Sequence, residues 1–209
     1  MPESSIIYVV DDSPEVRKSL VMMLRSRGQQ SRGFADARAF LQACPPEASG
    51  CLIVDVRMPG LSGLDLQHCL HERGYTLPVI VITGHGDVAM AARALKAGAL
   101  DFIEKPFAPS TLMPLIDEAL ILDAERRERR REEATFTARL ALLKPREREI
   151  LRQVANGRYN KTIATDLGVS VSTVELHRKK IMEKLRANSL YDLMRIAEFD
   201  RELGHGKPM

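Results

Sequence analysis

The chain has 209 residues, and 44% of them are hydrophobic, which excludes general disorder. Its 31 Lys+Arg and 28 Asp+Glu give a formal net charge of +3, but residues 1–124 carry 11 basic and 15 acidic side chains (net −4) while residues 125–209 carry 20 and 13 (net +7). Such asymmetry points to a polyanion-binding segment in the second half and a different role for the first, and no apolar run approaches the ~18–20 residues that span a bilayer.

The opening MPESSIIYVVDDSP lacks a basic stretch ahead of its apolar residues, so it is not read as a signal peptide. Short apolar runs follow at Ile6–Val10, Gln29–Phe34, Cys51–Val54, Val79–Ile82 and Asp101–Ile103. Two of them, Ile7–Val10 and Val79–Ile82, show no alternation, as expected of strands buried on both faces of a parallel sheet. Helical stretches lie between the runs. Pro14 sits just inside one start and Gly28 just past its end; Ser62 with Asp65 forms a capping-box pattern; Asp87 opens another helix that ends near Gly98. Five strand–helix alternations predict an α/β doubly wound, five-stranded parallel sheet. Cys44, Cys51 and Cys69 have no metal-like spacing and fit a reduced cytosol.

Ligands of such sheets bind outside the carboxyl ends of the strands. The pattern places Asp11 and Asp12 after the first strand, Asp55 after the third, Thr83 after the fourth and Lys105 after the fifth. Three carboxylates at one edge call for a cation, because like charges at close range raise each other's pKa. Hard oxygen donors with room for water suit Mg2+. A carboxylate beside such a cation and an ammonium is equipped for acyl-phosphate formation. Each residue also has a plainer reading. Asp12 could cap the helix at Pro14, Asp55 could belong to a turn, Thr83 could simply end a strand, and Lys105 could be a solvated lysine. Their joint placement at one edge favours the pocket.

Over about residues 5–122 the segments YVVDDSPEVR, LIVDVRMPGLSGLDL, VIVITGHGDV and KAGALDFIEKPF resemble the response-regulator receiver domain. The resemblance implies that Asp55 is the phosphoacceptor. It implies that Asp11, Asp12, Asp55 and the backbone carbonyl of Arg57 hold Mg2+. Thr83 would bond the phosphoryl oxygen, Lys105 would pair with it, and the Lys105-Pro106 bond would be cis. Phe102 falls at the aromatic switch position, where the family more often has tyrosine, so any hydrogen bond of that hydroxyl is missing.

From Leu115 to Lys144 there is neither Pro nor Gly, and Ala, Leu, Glu and Arg dominate, so a helix is expected. Ile116, Ala119 and Leu120 are spaced for a packed face. The charged stretch from Asp123 to Glu133 is read as a solvated helix with Glu/Arg pairs at three- and four-residue spacing, ahead of a reading in which its arginines touch DNA.

Three helices are expected next: Pro145 to about Asn156, Asn160 to Gly168, and from Ser170 to about Leu185. Their turns make a helix-turn-helix pattern. On the third, Val171, Val174, Ile181 and Leu185 form an apolar stripe opposite Ser172, Glu175, Leu176 and Lys179, with His177, Arg178 and Lys180 on the flanks. In a major groove Lys179 could donate to guanine, Glu175 could accept from cytosine, and Leu176 could touch a thymine methyl. Lys161 and the flanking bases would sit over phosphates. The plainer reading of His177 is a structural or phosphate-facing histidine.

The text LKPREREILRQVANGRYNKTIATDLGVSVSTVELHRKKIMEKL resembles the LuxR-type helix-turn-helix over about residues 143–197. Lys144 stands where that family often has Thr, which leaves the cap of its helix open. The resemblance implies Glu175, Leu176 and Lys179 as base readers, with Lys161, Thr173, His177, Arg178 and Lys180 near the DNA backbone. It also implies a dimer on a palindromic site, with the helix from Ser189 onward as a contact. The order of receiver (1–122), helical linker (123–139) and DNA-binding domain (140–209) resembles the NarL/FixJ response regulators, closer to the FixJ side. That resemblance implies a cytoplasmic transcription regulator, phosphorylated on Asp55 by a sensor histidine kinase, dimeric when phosphorylated. It would bind double-stranded promoter DNA and activate RNA polymerase. Membrane association is not expected, nor is enzymatic activity beyond its own phosphorylation and dephosphorylation. Two other readings stand beside it. Mg2+-dependent phosphatases with an aspartyl nucleophile carry it in a DxDx[TV] segment, which Asp11-Asp12-Ser13-Pro14 does not match. An unphosphorylated interaction module would not need the complete set of acids, Thr83 and Lys105.

Overall fold

The structure, a computed structural model, describes residues 5–84 and 88–202. The elements are β1 (Ile6–Val10), α1 (Pro14–Ser26), β2 (Ser31–Phe34), α2 (Ala37–Ala43), β3 (Gly50–Asp55), α3 (Gly63–Glu72), β4 (Val79–Thr83), α4 (Val88–Lys96), β5 (Asp101–Glu104), α5 (Pro109–Leu140), α6 (Pro145–Ala155), α7 (Asn160–Leu167), α8 (Val171–Leu185) and α9 (Leu190–Asp200). The expected helix start at Asp87 lies outside the described residues. The chain divides into two compact units, Met1–Arg127 and Glu128–Met209.

In the first unit the sheet order is β2-β1-β3-β4-β5, all parallel. Alternate residues serve opposite cores. Tyr8, Val10, Leu52, Val54, Val79 and Val81 pack with Phe40, Leu66, Leu70 and Ala94 from α2, α3 and α4. Ile7, Val9, Cys51, Ile53, Ile80 and Ile82 pack with Leu20, Leu24, Leu112 and Ile116 from α1 and α5. Burial on both faces explains the unbroken apolar runs, and each such side chain contributes about 1.5–3 kcal/mol relative to exposure. The second strand begins at Ser31 rather than Gln29, because the Gln29 N–H closes α1 on the Leu24 carbonyl at 3.1 Å.

One cap differs from the plain sequence reading and one agrees with it. Ser13, not Asp12, caps α1, its Oγ accepting from Val16 N. Ser62 and Asp65 form the expected capping box on α3.

The charged stretch after residue 122 continues α5 as its second half, since nothing in it breaks a helix. It is not uniformly solvated. Asp123 is fully buried, with Arg127 one turn on at 2.9 Å. Glu132, Phe136 and Arg139 belong to the second unit and pack within it: Arg195 pairs with Glu132 at 3.1 Å, Phe136 stacks edge-on with Phe199, and Arg139 donates to the Leu185 carbonyl.

The second unit is helical. Ile150, Leu151, Val154, Ile163, Val174, Ile181, Leu185, Leu193 and Ile196 form its core. The apolar stripe of α8 starts one turn later than expected. Val171 is 40% exposed, because it is the first helical residue and lies before the part of α8 that packs on α6 and α7; Val169 packs on the core instead.

Candidate functional site

In this strand order the connections leave β1 and β3 in opposite directions, so a crevice opens between their carboxyl ends. Asp11 directly follows β1 and Asp55 ends β3, which brings the two acids to that crevice. Lys105, from the segment after β5, joins them. Its Nζ lies 2.7 Å from Asp11 Oδ2 and 2.7 Å from Asp55 Oδ1. The Lys105-Pro106 peptide is cis.

Asp11 is fully buried and Asp55 nearly so. Each carboxylate also accepts a local backbone N–H: Ser13 donates to Asp11 Oδ1 at 2.9 Å, and Arg57 donates to Asp55 Oδ2 at 2.8 Å. Burial pushes the Asp55 carboxyl above the ordinary carboxylate range, with the Lys105 ammonium opposing that shift. Burial would lower Lys105, but its bonds to Asp11 and Asp55 outweigh it and hold the ammonium charged.

Asp12 is exposed, and its carboxylate makes no hydrogen bond or ion pair among the described residues. The three acids are therefore not gathered into a ready metal cage: no cluster of three such groups is close enough among the described residues, and Lys105 stands between two of them. The donor chemistry nevertheless fits Mg2+. The side-chain donors are carboxylates, the two buried ones keep lone pairs beyond those already used, and Asp12 is free.

Thr83 ends β4, fully buried, and its carbonyl accepts the Lys105 N–H at 2.7 Å. By strand alternation Thr83 and Phe102 share the face of the sheet that carries α3 and α4; Phe102 pairs with Val81 and is half-buried against that core.

On α8 the spacing places Ser172, Glu175, Leu176 and Lys179 on one face, and all four are exposed. Leu176, at 54%, is more open than a core leucine, as a reader of base edges requires. Lys161 and Lys180 are also exposed. Thr173 is half-buried and tied into the α8 cap through Ser170, which accepts its N–H and shares a 2.8 Å bond with its hydroxyl. His177 is half-buried, and its Nδ1 has no partner among the described residues.

Sequence reasoning named Arg178 but missed its partner, and it missed several supporting contacts altogether. Arg178 donates to Asn160 Oδ1 at 2.7 Å, joining α8 to the start of α7. Glu147 accepts from Lys184 at 2.5 Å and from the Lys144 N–H at 2.8 Å. That second bond supplies the start of α6 with the capping contact that the Lys144 side chain cannot make. Arg17 donates to the Asp11 carbonyl at 2.5 Å. The Lys144–Glu147 contact has the three-residue spacing of a capping box and could have been read from the sequence; the Arg178–Asn160, Lys184–Glu147 and Arg17–Asp11 pairs have no such spacing, so only the folded chain brings them together.

No described helix is long and apolar enough to cross a membrane. The response regulator receiver domain model matches residues 7–117, and the luxR family model of bacterial regulatory proteins matches residues 141–197. Nodulation protein W of Bradyrhizobium diazoefficiens is 42% identical over 194 residues, covering 93% of this chain and 86% of that protein. The transcriptional regulatory protein FixJ of Azorhizobium caulinodans is 45% identical over 197 residues, covering 94% and 93%. Among solved structures, response regulator StyR matches with a TM-score of 0.84 and 40% identity over 93% of this chain and 98% of that one. Full-length FixJ from B. japonicum matches with a TM-score of 0.57 and 39% identity over 95% and 98%. With an acid–lysine crevice in one unit, an open helix face in the other, and relatives aligned along nearly the whole chain, the protein belongs to the FixJ-like two-component response regulators, transcription regulators that join a receiver to a LuxR-type DNA-binding domain.

Proposed function

We propose that Asp55 accepts a phosphoryl group from a sensor histidine kinase and that the phosphorylated chain dimerises on promoter DNA and activates transcription by RNA polymerase. The observation that carries this reading is Lys105 Nζ, 2.7 Å from both Asp11 and Asp55. An Asp55 carboxylate oxygen attacks phosphorus with a lone pair, the bond from phosphorus to the donor nitrogen breaks, and an acyl phosphate forms. Lys105 stays within reach of the new phosphoryl oxygens and offsets their charge. Asp11, Asp12, Asp55 and the Arg57 carbonyl would hold Mg2+, which supplies further positive charge against those oxygens. Beyond this self-directed phosphoryl chemistry we assign no enzymatic activity.

Phosphorylation adds charge and strong acceptor oxygens beside β4. Thr83 moves to donate to them, and Phe102, on the same face, turns toward the space it leaves. The surface of α4, β5 and α5 repacks as a result. A differential stabilisation of a few kcal/mol suffices to shift such an element between two states. In the second unit Glu175, Leu176 and Lys179 read base edges, while Lys161, Thr173, His177, Arg178 and Lys180 lie near phosphates.

The test is reaction with acetyl phosphate and Mg2+, followed by intact-mass analysis. One phosphoryl adduct is expected on the wild-type chain and none on Asp55→Asn. An adduct that survives in the variant would overturn the assignment.

A further inference from the structure

Arg17 lies in the second turn of α1, outside every role assigned above. Its guanidinium reaches back to the loop that ends β1. Nη1 donates to the Asp11 carbonyl at 2.5 Å and, more loosely, to the Asp12 carbonyl at 3.4 Å. The aliphatic stem lies against β2. A Cβ built on Gly33 would stand 2.9 Å from Arg17 Cγ and 3.2 Å from Cδ, with Val21 Cγ2 at 3.3 Å. Gly33 sits in the interior of β2, paired with Val9, and has no positive φ that would demand glycine. The room it leaves is the room the arginine stem fills.

The loop that Arg17 touches carries two carboxylates with different fates. Asp11 is fastened on every side: its N–H to the Phe34 carbonyl at 3.2 Å, and its carboxylate to Ser13 N and Lys105 Nζ. Asp12 has an exposed carboxylate with no partner among the described residues, so only its backbone is held. One guanidinium donor on two successive carbonyls fixes the peptide between them, and that peptide sets where the Asp12 carboxylate points. Nη1 carries two N–H groups fixed in the plane of the guanidinium, so one nitrogen can serve both carbonyls.

We propose that Arg17, seated over Gly33, is a positioning residue that aims the Asp11-Asp12 pair at the divalent cation and the phosphoryl group. It touches neither of them; it acts through the main chain of the residues that do. This inference rests on the phosphoryl-transfer reading for its purpose, but it makes its own prediction about cation affinity. Groups behind metal ligands commonly change affinity by 10–100-fold when removed.

The experiment measures Mn2+ binding to the full chain by the electron paramagnetic resonance signal of free Mn2+, beside thermal unfolding of each variant. Mn2+ stands in for Mg2+ because both take hard oxygen donors. Arg17→Ala is expected to raise the Mn2+ dissociation constant about tenfold or more. Arg17→Lys, which keeps one donor for the Asp11 carbonyl, should fall between Arg17→Ala and wild type. Gly33→Ala, which leaves the arginine in the chain but takes its seat, should weaken binding in the same direction and covers the case in which Arg17→Ala fails to fold. Asp12→Asn should remove the binding and so place the Mn2+ at this site. The proposal is overturned if Arg17→Ala and Gly33→Ala both bind Mn2+ as wild type does while only their unfolding temperatures drop. It is also overturned if wild type binds no Mn2+, or if Asp12→Asn binds it unchanged. Arg17-dependent Mn2+ binding in a chain that never gains the Asp55 adduct would sink the phosphorylation reading and leave the role of Arg17 standing.

Discussion

Asp123, near the middle of α5, accepts the backbone N–H of Gly50 at 2.9 Å and so joins the helix to the first residue of β3. The same oxygen receives Ser49 Oγ at 3.3 Å and Arg127 Nε at 2.9 Å. Gly50 cannot be replaced to suit: its φ is +128°, and a Cβ there would fall 1.8 Å from the Ile6 carbonyl oxygen. The end of β3 opposite Asp55 is thus tied to the helix that leads out of the receiver unit.

Asp123→Ala would leave the buried Gly50 N–H without its acceptor. A buried donor deprived of its partner costs about 1–3 kcal/mol. The expected outcome is a lower denaturant midpoint for the receiver unit, with Asp123→Asn intermediate because its amide oxygen can still accept from Gly50. Equilibrium urea unfolding of the three proteins checks this.

Gly63 opens α3 beside the phosphoacceptor. A Cβ there would lie 2.3 Å from the Asp55 carbonyl oxygen and 3.1 Å from Val54 Cγ2. Gly63→Ala therefore forces apart α3 and the main chain of Asp55, an overpacking that costs about 1–3 kcal/mol. Slower labelling by acetyl phosphate should accompany the lost stability. A variant that is destabilised but labelled at the wild-type rate would show that the shift is absorbed by α3 alone.

Glu147 contributes to the acid stability of the second unit. Burial alone would raise its carboxyl, but the Lys184 ammonium and the Lys144 N–H outweigh that and hold it below the usual carboxylate range. A depressed folded-state pKa stabilises fully above the unfolded value of about 4.3, and the gain is lost as pH falls through the folded value. Glu147→Gln should cost about 1–3 kcal/mol at neutral pH and show a shallower loss between pH 5 and about pH 3. Thermal unfolding across that range measures both.

Asn160 and Lys179 should separate two kinds of DNA contact. Removing the Asn160 acceptor frees the Arg178 guanidinium, whose re-ordering on DNA costs about 0.5–1.5 kcal/mol. Asn160→Ala should therefore weaken binding to all sequences by a similar factor. Lys179→Ala removes an exposed group on the open face, and a base contact there is worth about 1–3 kcal/mol at one position. Its loss should relax preference at that base pair alone. Binding titrations against a set of single-base operator variants distinguish the two patterns.

Much of this molecule is visible in one dimension. Unbroken apolar runs such as Val79–Ile82 announce strands buried on both faces, and Asp11, Asp55, Thr83 and Lys105 announce themselves by standing at strand ends. Periodicity also places Glu175, Leu176 and Lys179 on one side of α8. The same reasoning misjudges Asp123, because charge density along a helix says nothing about which single residue meets the end of a strand. It misjudges Val171, because a stripe drawn by helical spacing does not reveal where packing begins.

By itself, then, the order of residues determined the α/β unit, the helix-turn-helix unit, the acids and lysine of the crevice and the open face of α8, since each is written in local periodicity or at an element boundary. Tertiary structure alone decided which carboxylates Lys105 bridges, that Asp12 is left open to solvent, that Asp123 and Glu147 are buried and paired, and that Arg17 lies in the space over Gly33. Those relationships join residues far apart in the chain. They depend on distances of a few ångströms that no one-dimensional pattern records, because desolvation and hydrogen bonding act only between groups that folding has already brought into contact.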